Sequence, residues 1–270
     1  MLAAVAFLAL QPALRIDKDV PYRTLADGTK LLCDVYAPRE SKGRRKAVAV
    51  FHGGAWVAGT RADMAAVCEM LAREGMTAIT FDYRLAPKHK WPAMREDALY
   101  AIQWIREQER SLNLDTRQIG ALGASAGGHL AMLTGYMPTA PGSKSSRTQV
   151  VFNLFGPTDM SQDFPPNMDP LYFIVLGKKR QEAAAEITEA SPVTYIDRGD
   201  APTVTIHGTS DPVVPFVQAE RLQKALDKAH VAHEFFPIKG MGHEVNYNLS
   251  GVQDAVQSGI KFLKRYLRTR

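Results

Sequence analysis

The chain has 270 residues, 46% hydrophobic and 23% charged, the balance of an ordinary globular protein long enough for one large core. Its formal net charge of +5 is densest at Lys42, Arg44, Arg45 and Lys46 and again at Lys178-Lys179-Arg180. Both clusters read as solvated loops, at most a surface favouring an acidic polysaccharide, and neither has the aromatic interleaving or recognition-helix pattern that would suggest nucleic acid. Two cysteines, Cys33 and Cys68, give no disulfide framework and no metal-ligand spacing, and no H-E-x-x-H, G-x-G-x-x-G or Walker A motif occurs. No metal and no dissociable cofactor is therefore expected.

The first stretch, Met1 to Leu14, is apolar apart from Gln11 and carries no charge, the character of a signal-peptide h-region without its basic n-region. A remnant signal segment or a short packing arm both fit it. The first reading implies a secreted or periplasmic protein, the second a cytoplasmic one. The stretch is too short to cross a bilayer as a helix, so no stable membrane insertion is expected. Residues 15–270 carry no internal repeat and no linker rich in Pro, Gly and Ser, and a single domain is expected there.

From Val20 onward, strand-like and helix-like segments alternate, which predicts a mostly parallel sheet with helices on both faces. Val20 to Leu25 and Thr29 to Ala37 flank Asp27-Gly28, a hairpin signal. Ala47 to Phe51 is a continuous apolar run, as in a strand buried on both faces, and His52-Gly53-Gly54 follows it. A helix from about Asp63 ends at Glu74 before Gly75, and Met76 to Tyr83 forms the next strand. Pro87 and Pro92 then make the chain irregular before a helix from Ala93 to about Glu109. Strands are expected at Ile119 to Leu122, Gln149 to Phe155, Thr203 to His207 and Ala232 to Ile238, making eight in all. Helices are expected at Phe216 to Ala229 and at Ser250 to Leu267. Between the sixth and seventh strands lies an insertion, residues 158–201, with a Pro-rich first half and a helix from Arg180 to Thr188. It is too small for an independent cap domain.

The strand ending at Leu122 runs into Gly123-Ala124-Ser125-Ala126-Gly127, and a helical pattern starts at Leu130. A serine at such a strand-to-helix turn is forced into strained dihedrals and projects clear of the sheet, with glycines two residues away on either side relieving clashes. A serine hydroxyl needs a base to become nucleophilic at neutral pH. His243, in a glycine-rich loop after the last strand, can swing over the sheet edge. The other histidines fit less well: His52 and His207 end strands and should organise loops, His89 lies in a basic loop, His129 sits in the elbow helix, and His230 and His233 flank the last strand. An acid that orients the imidazole must follow a neighbouring strand. Asp211 does so and keeps the chain order Ser, Asp, His, whereas Asp159 is the competitor, with a helix N-cap at the insertion's entrance as its other role. The backbone N–H groups of Gly54 and Ala55, with that of Ala126 after the serine, are placed to bind an oxyanion.

These segments, together with Asp82-Tyr83-Arg84-Leu85-Ala86-Pro87, Ala190-Ser191-Pro192-Val193 and His207-Gly208-x-x-Asp211-x-x-Val214-Pro215, resemble the serine esterases related to hormone-sensitive lipase. More narrowly, the chain is similar to bacterial bifunctional acetyl xylan and feruloyl esterases. The resemblance implies an α/β-hydrolase fold, with Ser125 as nucleophile, His243 as base, Asp211 as orienting acid and Gly54, Ala55 and Ala126 as the oxyanion hole. It further implies a covalent acyl-enzyme formed on short or aromatic acyl esters, either small molecules or acetylated and feruloylated plant polysaccharide. Ala55 stands where those relatives usually carry a third glycine, and their larger N-terminal cap is missing. The H-G-G-x-W form also occurs in kynurenine formamidases, so an arylformamidase stays open, as do a small serine peptidase and a non-catalytic binding protein on the same fold. Trp56 reads equally as a stacking surface for substrate and as a core anchor, while Tyr172 and Phe173 are expected to overhang the site. So short an insertion predicts a comparatively open cleft that buries long acyl chains poorly.

Overall fold

A computed structural model describes residues 12–41 and 43–268. Residues 1–11, which hold most of the expected signal segment or arm, and Lys42 of the basic cluster lie outside the described residues. Leu14, the end of that apolar stretch, opens the first strand.

Eight strands form one sheet: β1 (Leu14–Thr24), β2 (Lys30–Pro38), β3 (Arg45–Phe51), β4 (Thr77–Phe81), β5 (Leu114–Ala124), β6 (Val150–Leu154), β7 (Thr203–Gly208) and β8 (His233–Ile238). Their order across the sheet is β1-β2-β4-β3-β5-β6-β7-β8. β2 runs antiparallel to both its neighbours, and every other pairing is parallel. β1 starts six residues before the expected Val20, because an irregular register between Asp17 and Val20 lets pairing continue past a break in the alternation. β5 likewise starts at Leu114: Arg45 pairs with Leu114 and Ala47 with Ile119, so the extra residues are absorbed by an irregularity that hydrophobic periodicity does not reveal.

The helices are α1 (Ala65–Arg73), α2 (Ala93–Glu107), α3 (Ala126–Tyr136), α4 (Asp169–Leu176), α5 (Ala184–Glu189), α6 (Val217–Lys228) and α7 (Val252–Tyr266). Side chains of β3 alternate between two cores. Ala47, Ala49 and Phe51 pack on the face covered by α2, α3 and α6, while Val48 and Val50 pack under α1 and α7. Every residue of α3 is buried, which explains why this segment is apolar on all sides. Cys33 and Cys68 are buried free thiols. No helix among the described residues is long and apolar enough to cross a membrane.

The insertion departs from the sequence expectation. Its Pro-rich first half contains α4, because Pro170 lies in the first turn of the helix, where a missing N–H costs nothing. The expected helix at Arg180 to Thr188 is instead a turn of 3-10 helix at Arg180–Glu182 followed by the short α5.

The chain passes from β3 to β4 on one side and then crosses to β5 on the other. Such a switch in winding direction opens a crevice at the carboxyl ends of β3 and β5. The loops carrying His52-Gly53-Gly54 and Ser125 both begin there.

Candidate active site

Ser125 sits between β5 and α3 with φ 56° and ψ −122°, a conformation that an L-residue holds only under constraint. Its N–H donates to the Leu154 carbonyl of β6 at 2.8 Å, and its own carbonyl accepts the His129 N–H at 3.0 Å. Both sides of the turn are thereby fixed to regular structure. A Cβ on Gly127 would lie 2.0 Å from the Phe51 carbonyl oxygen, so only glycine lets the elbow press against the end of β3.

Ser125 Oγ lies 2.8 Å from His243 Nε2, and His243 Nδ1 lies 2.7 Å from Asp211 Oδ2. The ring is read as the Nδ1–H tautomer, since a carboxylate accepts and cannot donate; Nε2 is then free to accept the serine proton. Asp211 Oδ1 accepts the N–H groups of Val213 at 2.8 Å and Val214 at 2.9 Å. Burial works against the ionised carboxyl, but the His207 N–H 3.3 Å from Oδ2 and hydrogen bonds from His243, Val213 and Val214 outweigh it and hold the group well below the usual carboxylate range. The three residues that sequence order grouped are thus one hydrogen-bonded chain. Asp159 is held elsewhere: its Oδ1 accepts the Ser161 N–H at 3.0 Å and its Oδ2 accepts Gln162 Nε2 at 3.1 Å. It closes a side-chain turn rather than capping a helix, since the next helical turn begins only at Pro166.

In a trans peptide the C=O and the following N–H point in opposite directions, so tying down one aims the other. The Gly53 carbonyl accepts His52 Nδ1–H at 2.7 Å, and the Gly54 carbonyl accepts the N–H groups of Val57 and Ala58, each at 3.0 Å. That aims the Gly54 and Ala55 N–H groups the other way. Gly54 reaches this arrangement with φ +106°, and a Cβ there would lie 2.1 Å from the Ala58 carbonyl oxygen. The Ala126 N–H is a first-turn donor of α3, left without an intrahelical partner. Among the described residues none of these three groups donates to a protein acceptor. His52 does organise its loop as expected; its ring stacks 4.2 Å from that of Tyr83, whose hydroxyl donates to the His52 carbonyl at 3.0 Å. Burial, which outweighs the bond to Gly53, lowers its proton affinity.

On the other side of Ser125 lies an apolar pocket of about 40 Å³. Trp56, Trp91, His129, Met160, Tyr172 and Val175 supply much of its wall. Trp56 is both anchor and lining: Nε1–H donates to His129 Nδ1 at 3.3 Å while the indole borders the pocket. His129 Nε2–H in turn donates to the Ala190 carbonyl at 2.6 Å, and burial, outweighing that bond, pushes its pKa down to about 4. Tyr172 overhangs the site with its hydroxyl on the Met160 carbonyl at 2.6 Å, whereas Phe173, one residue on in α4, is 53% exposed and takes no part in the lining. The pocket is also closed more tightly than a short insertion suggested. The insertion is fastened at Trp91 N–H to Val175 O (2.8 Å), Trp91 Nε1–H to Glu189 (3.0 Å) and His129 to Ala190, so it forms wall rather than rim. Sequence reasoning missed Trp91 and His129 as wall residues, and it missed Phe155. Phe155 has φ 42° and packs its ring 4.8 Å from that of His243. Among the described residues no group of three or more His, Cys, Asp or Glu is arranged to hold a metal ion.

The sheet order, the elbow and the helices on both faces define an α/β-hydrolase fold. The BD-FAE family model matches residues 33–226, and the chain belongs to that family. Among curated proteins it is 31% identical over 236 residues to esterase LipC of Mycobacterium tuberculosis, an alignment covering 81% of this chain and 58% of LipC. The chain spans about half the length of such curated relatives. Among solved structures, esterase 2 of Thermogutta terrifontis with propionate bound superposes at a TM-score of 0.75 and 29% identity, covering 96% of this chain and 94% of that one. A truncated carbohydrate esterase from gut microbiota shares the fold at a TM-score of 0.82 and 24% identity, covering 95% and 97% of the two chains.

Proposed function

We propose that the protein is a serine carboxylic ester hydrolase that forms its acyl-enzyme on Ser125. The observation that carries this reading is the Ser125-His243-Asp211 chain of hydrogen bonds beside three N–H groups that have no partner among the described residues. His243 Nε2 takes the Ser125 proton as Oγ attacks the ester carbonyl carbon, and the imidazolium is stabilised by the Asp211 carboxylate. The oxyanion of the tetrahedral intermediate receives hydrogen bonds from Gly54, Ala55 and Ala126. His243 then protonates the leaving alcohol as the C–O bond breaks. A water molecule, deprotonated by the same nitrogen, attacks the acyl carbon; the Ser125 Oγ–C bond then breaks, His243 returns the proton to Oγ, and the carboxylic acid leaves.

The pocket favours a short acyl group. One water needs about 10–15 Å³ of such space, so about 40 Å³ holds three or four heavy atoms. With the carbonyl oxygen turned into the oxyanion hole, that fits the two to four carbons of acetyl to butyryl and favours them over a feruloyl ring. Ser125 and His243 keep partial exposure, so the alcohol side faces solvent and admits a bulky leaving group such as an acetylated plant polysaccharide. The test is a series of p-nitrophenyl esters with methyl ferulate, acetyl xylan and N-formylkynurenine. The expected result is highest kcat/KM between acetate and butyrate, at least tenfold lower for octanoate, and acetate release from the polysaccharide. Faster turnover of methyl ferulate would overturn the acyl assignment, and preference for N-formylkynurenine would make the protein a formamidase.

A further inference from the structure

His207 is fully buried at the end of β7, four residues before Asp211. Its Nε2 lies 2.9 Å from the Val214 carbonyl and 3.3 Å from Asp211 Oδ2. Val214 in turn donates its N–H to Asp211 Oδ1 at 2.9 Å. A carbonyl can only accept, so the Val214 contact fixes a proton on His207 Nε2. The other nitrogen, Nδ1, is buried with no hydrogen-bond partner among the described residues, which disfavours a second proton there. The ring therefore presents a single N–H, directed at Val214 with the Asp211 carboxylate on its flank. Phe155 and Phe216 meet this ring edge-on, with centroids at 6.5 and 5.9 Å, and Phe155 also touches the His243 ring. His207, Val214, Asp211, His243 and Phe155 thus enclose one another, and no rotation of the carboxylate leaves all its bonds intact.

We propose that His207 is a positioning residue for the acid: its Nε2–H pins the Asp211 to Val214 turn and keeps Oδ2 turned toward His243. This rests on reading Ser125, His243 and Asp211 as the catalytic relay. His207 touches neither substrate nor the reacting atoms and acts only through Asp211.

Two measurements test it. Nitrogen NMR of ¹⁵N-histidine-labelled wild-type protein at neutral pH should show His207 protonated on Nε2 and bare on Nδ1. A proton on Nδ1 overturns the proposal whether or not any variant folds. In kinetics, His207→Phe keeps a flat ring and removes the donor, whereas His207→Gln carries an N–H of similar reach. With short-chain p-nitrophenyl esters, and sites counted by paraoxon titration, His207→Phe should lose about tenfold or more in kcat at unchanged KM, and His207→Gln should recover to within about threefold of wild type. A His207→Phe kcat per titrated site within twofold of wild type overturns it. If instead Ser125→Ala retains activity, the relay reading itself falls, a result distinct from either of these.

Discussion

The two sides of Ser125 are built from opposite materials. Toward His243 the contacts are polar, few and directional: one hydrogen bond from serine to imidazole, one from imidazole to carboxylate, and two from backbone N–H groups onto Asp211. Toward the pocket they are apolar and many, with side chains from the loops after β3 and β4, from α3 and from the insertion. A hydrogen-bonded chain fails when any one member is lost, because its members act as a unit. A packed wall yields by degrees, since each methylene carries only part of the discrimination. On the proposed reading, rate and selectivity are therefore governed by different parts of this molecule.

That contrast can be broken most sharply at Ser125, the proposed nucleophile. Ser125→Ala should lower kcat about a millionfold while the melting temperature stays near that of wild type. Retention of a tenth of the wild-type rate removes Ser125 from the mechanism. Asp211→Asn comes next: an amide in place of the carboxylate turns the imidazole to the wrong tautomer, for about a ten-thousandfold loss in kcat. The control is Asp159→Asn, expected within about twofold of wild type; if the two variants are equally impaired, the acid is Asp159.

The pocket side answers to pH as well as to substitution. His129 holds its pKa near 4 in the folded state against an ordinary value of 6.5, so the unfolded chain binds more protons between those limits. Its contribution to stability is therefore complete above about pH 6.5 and is lost as pH falls, reaching about 3 kcal/mol near pH 4. Melting temperatures of wild type and His129→Gln should converge as the pH drops from 7.5 to 4.5, and parallel curves would show that the neutral ring is not what acid destabilises. The smallest effect is expected at Val175. Val175→Ala enlarges the wall where the insertion meets Trp91, moving the acyl-length optimum up by one or two carbons and changing the butyrate-to-acetate ratio about tenfold, with kcat for acetate nearly unchanged. An unchanged ratio would mean that Val175 does not set acyl length.

Legibility in the sequence divides along the same line. The elbow, the H-G-G loop and the order of Ser125, Asp211 and His243 are local signals, each lying just past an apolar strand, and the sheet then brings those strand ends together. The wall has no local signature. Trp91 depends on Glu189, 98 residues later, and His129 on Ala190, 61 residues later. Neither pairing leaves a mark on hydrophobic periodicity. α4 was obscured for another reason, since Pro165, Pro166 and Pro170 read as breakers until Pro170 is seen inside the first helical turn. Phe155 escaped because its position follows from a left-handed backbone at the end of β6, which no residue preference announces.

Under the proposed ester hydrolysis, the fastening of the insertion at Trp91 and His129 bears on how substrate reaches Ser125. A segment that gates a site must be able to swing clear of it as a unit. Here the insertion is stitched into the pocket by hydrogen bonds from the main chain of Trp91 and from two aromatic side chains, so these contacts must break together before it can swing. The rate should follow the concentration of dissolved ester and show no jump when tributyrin passes its solubility limit.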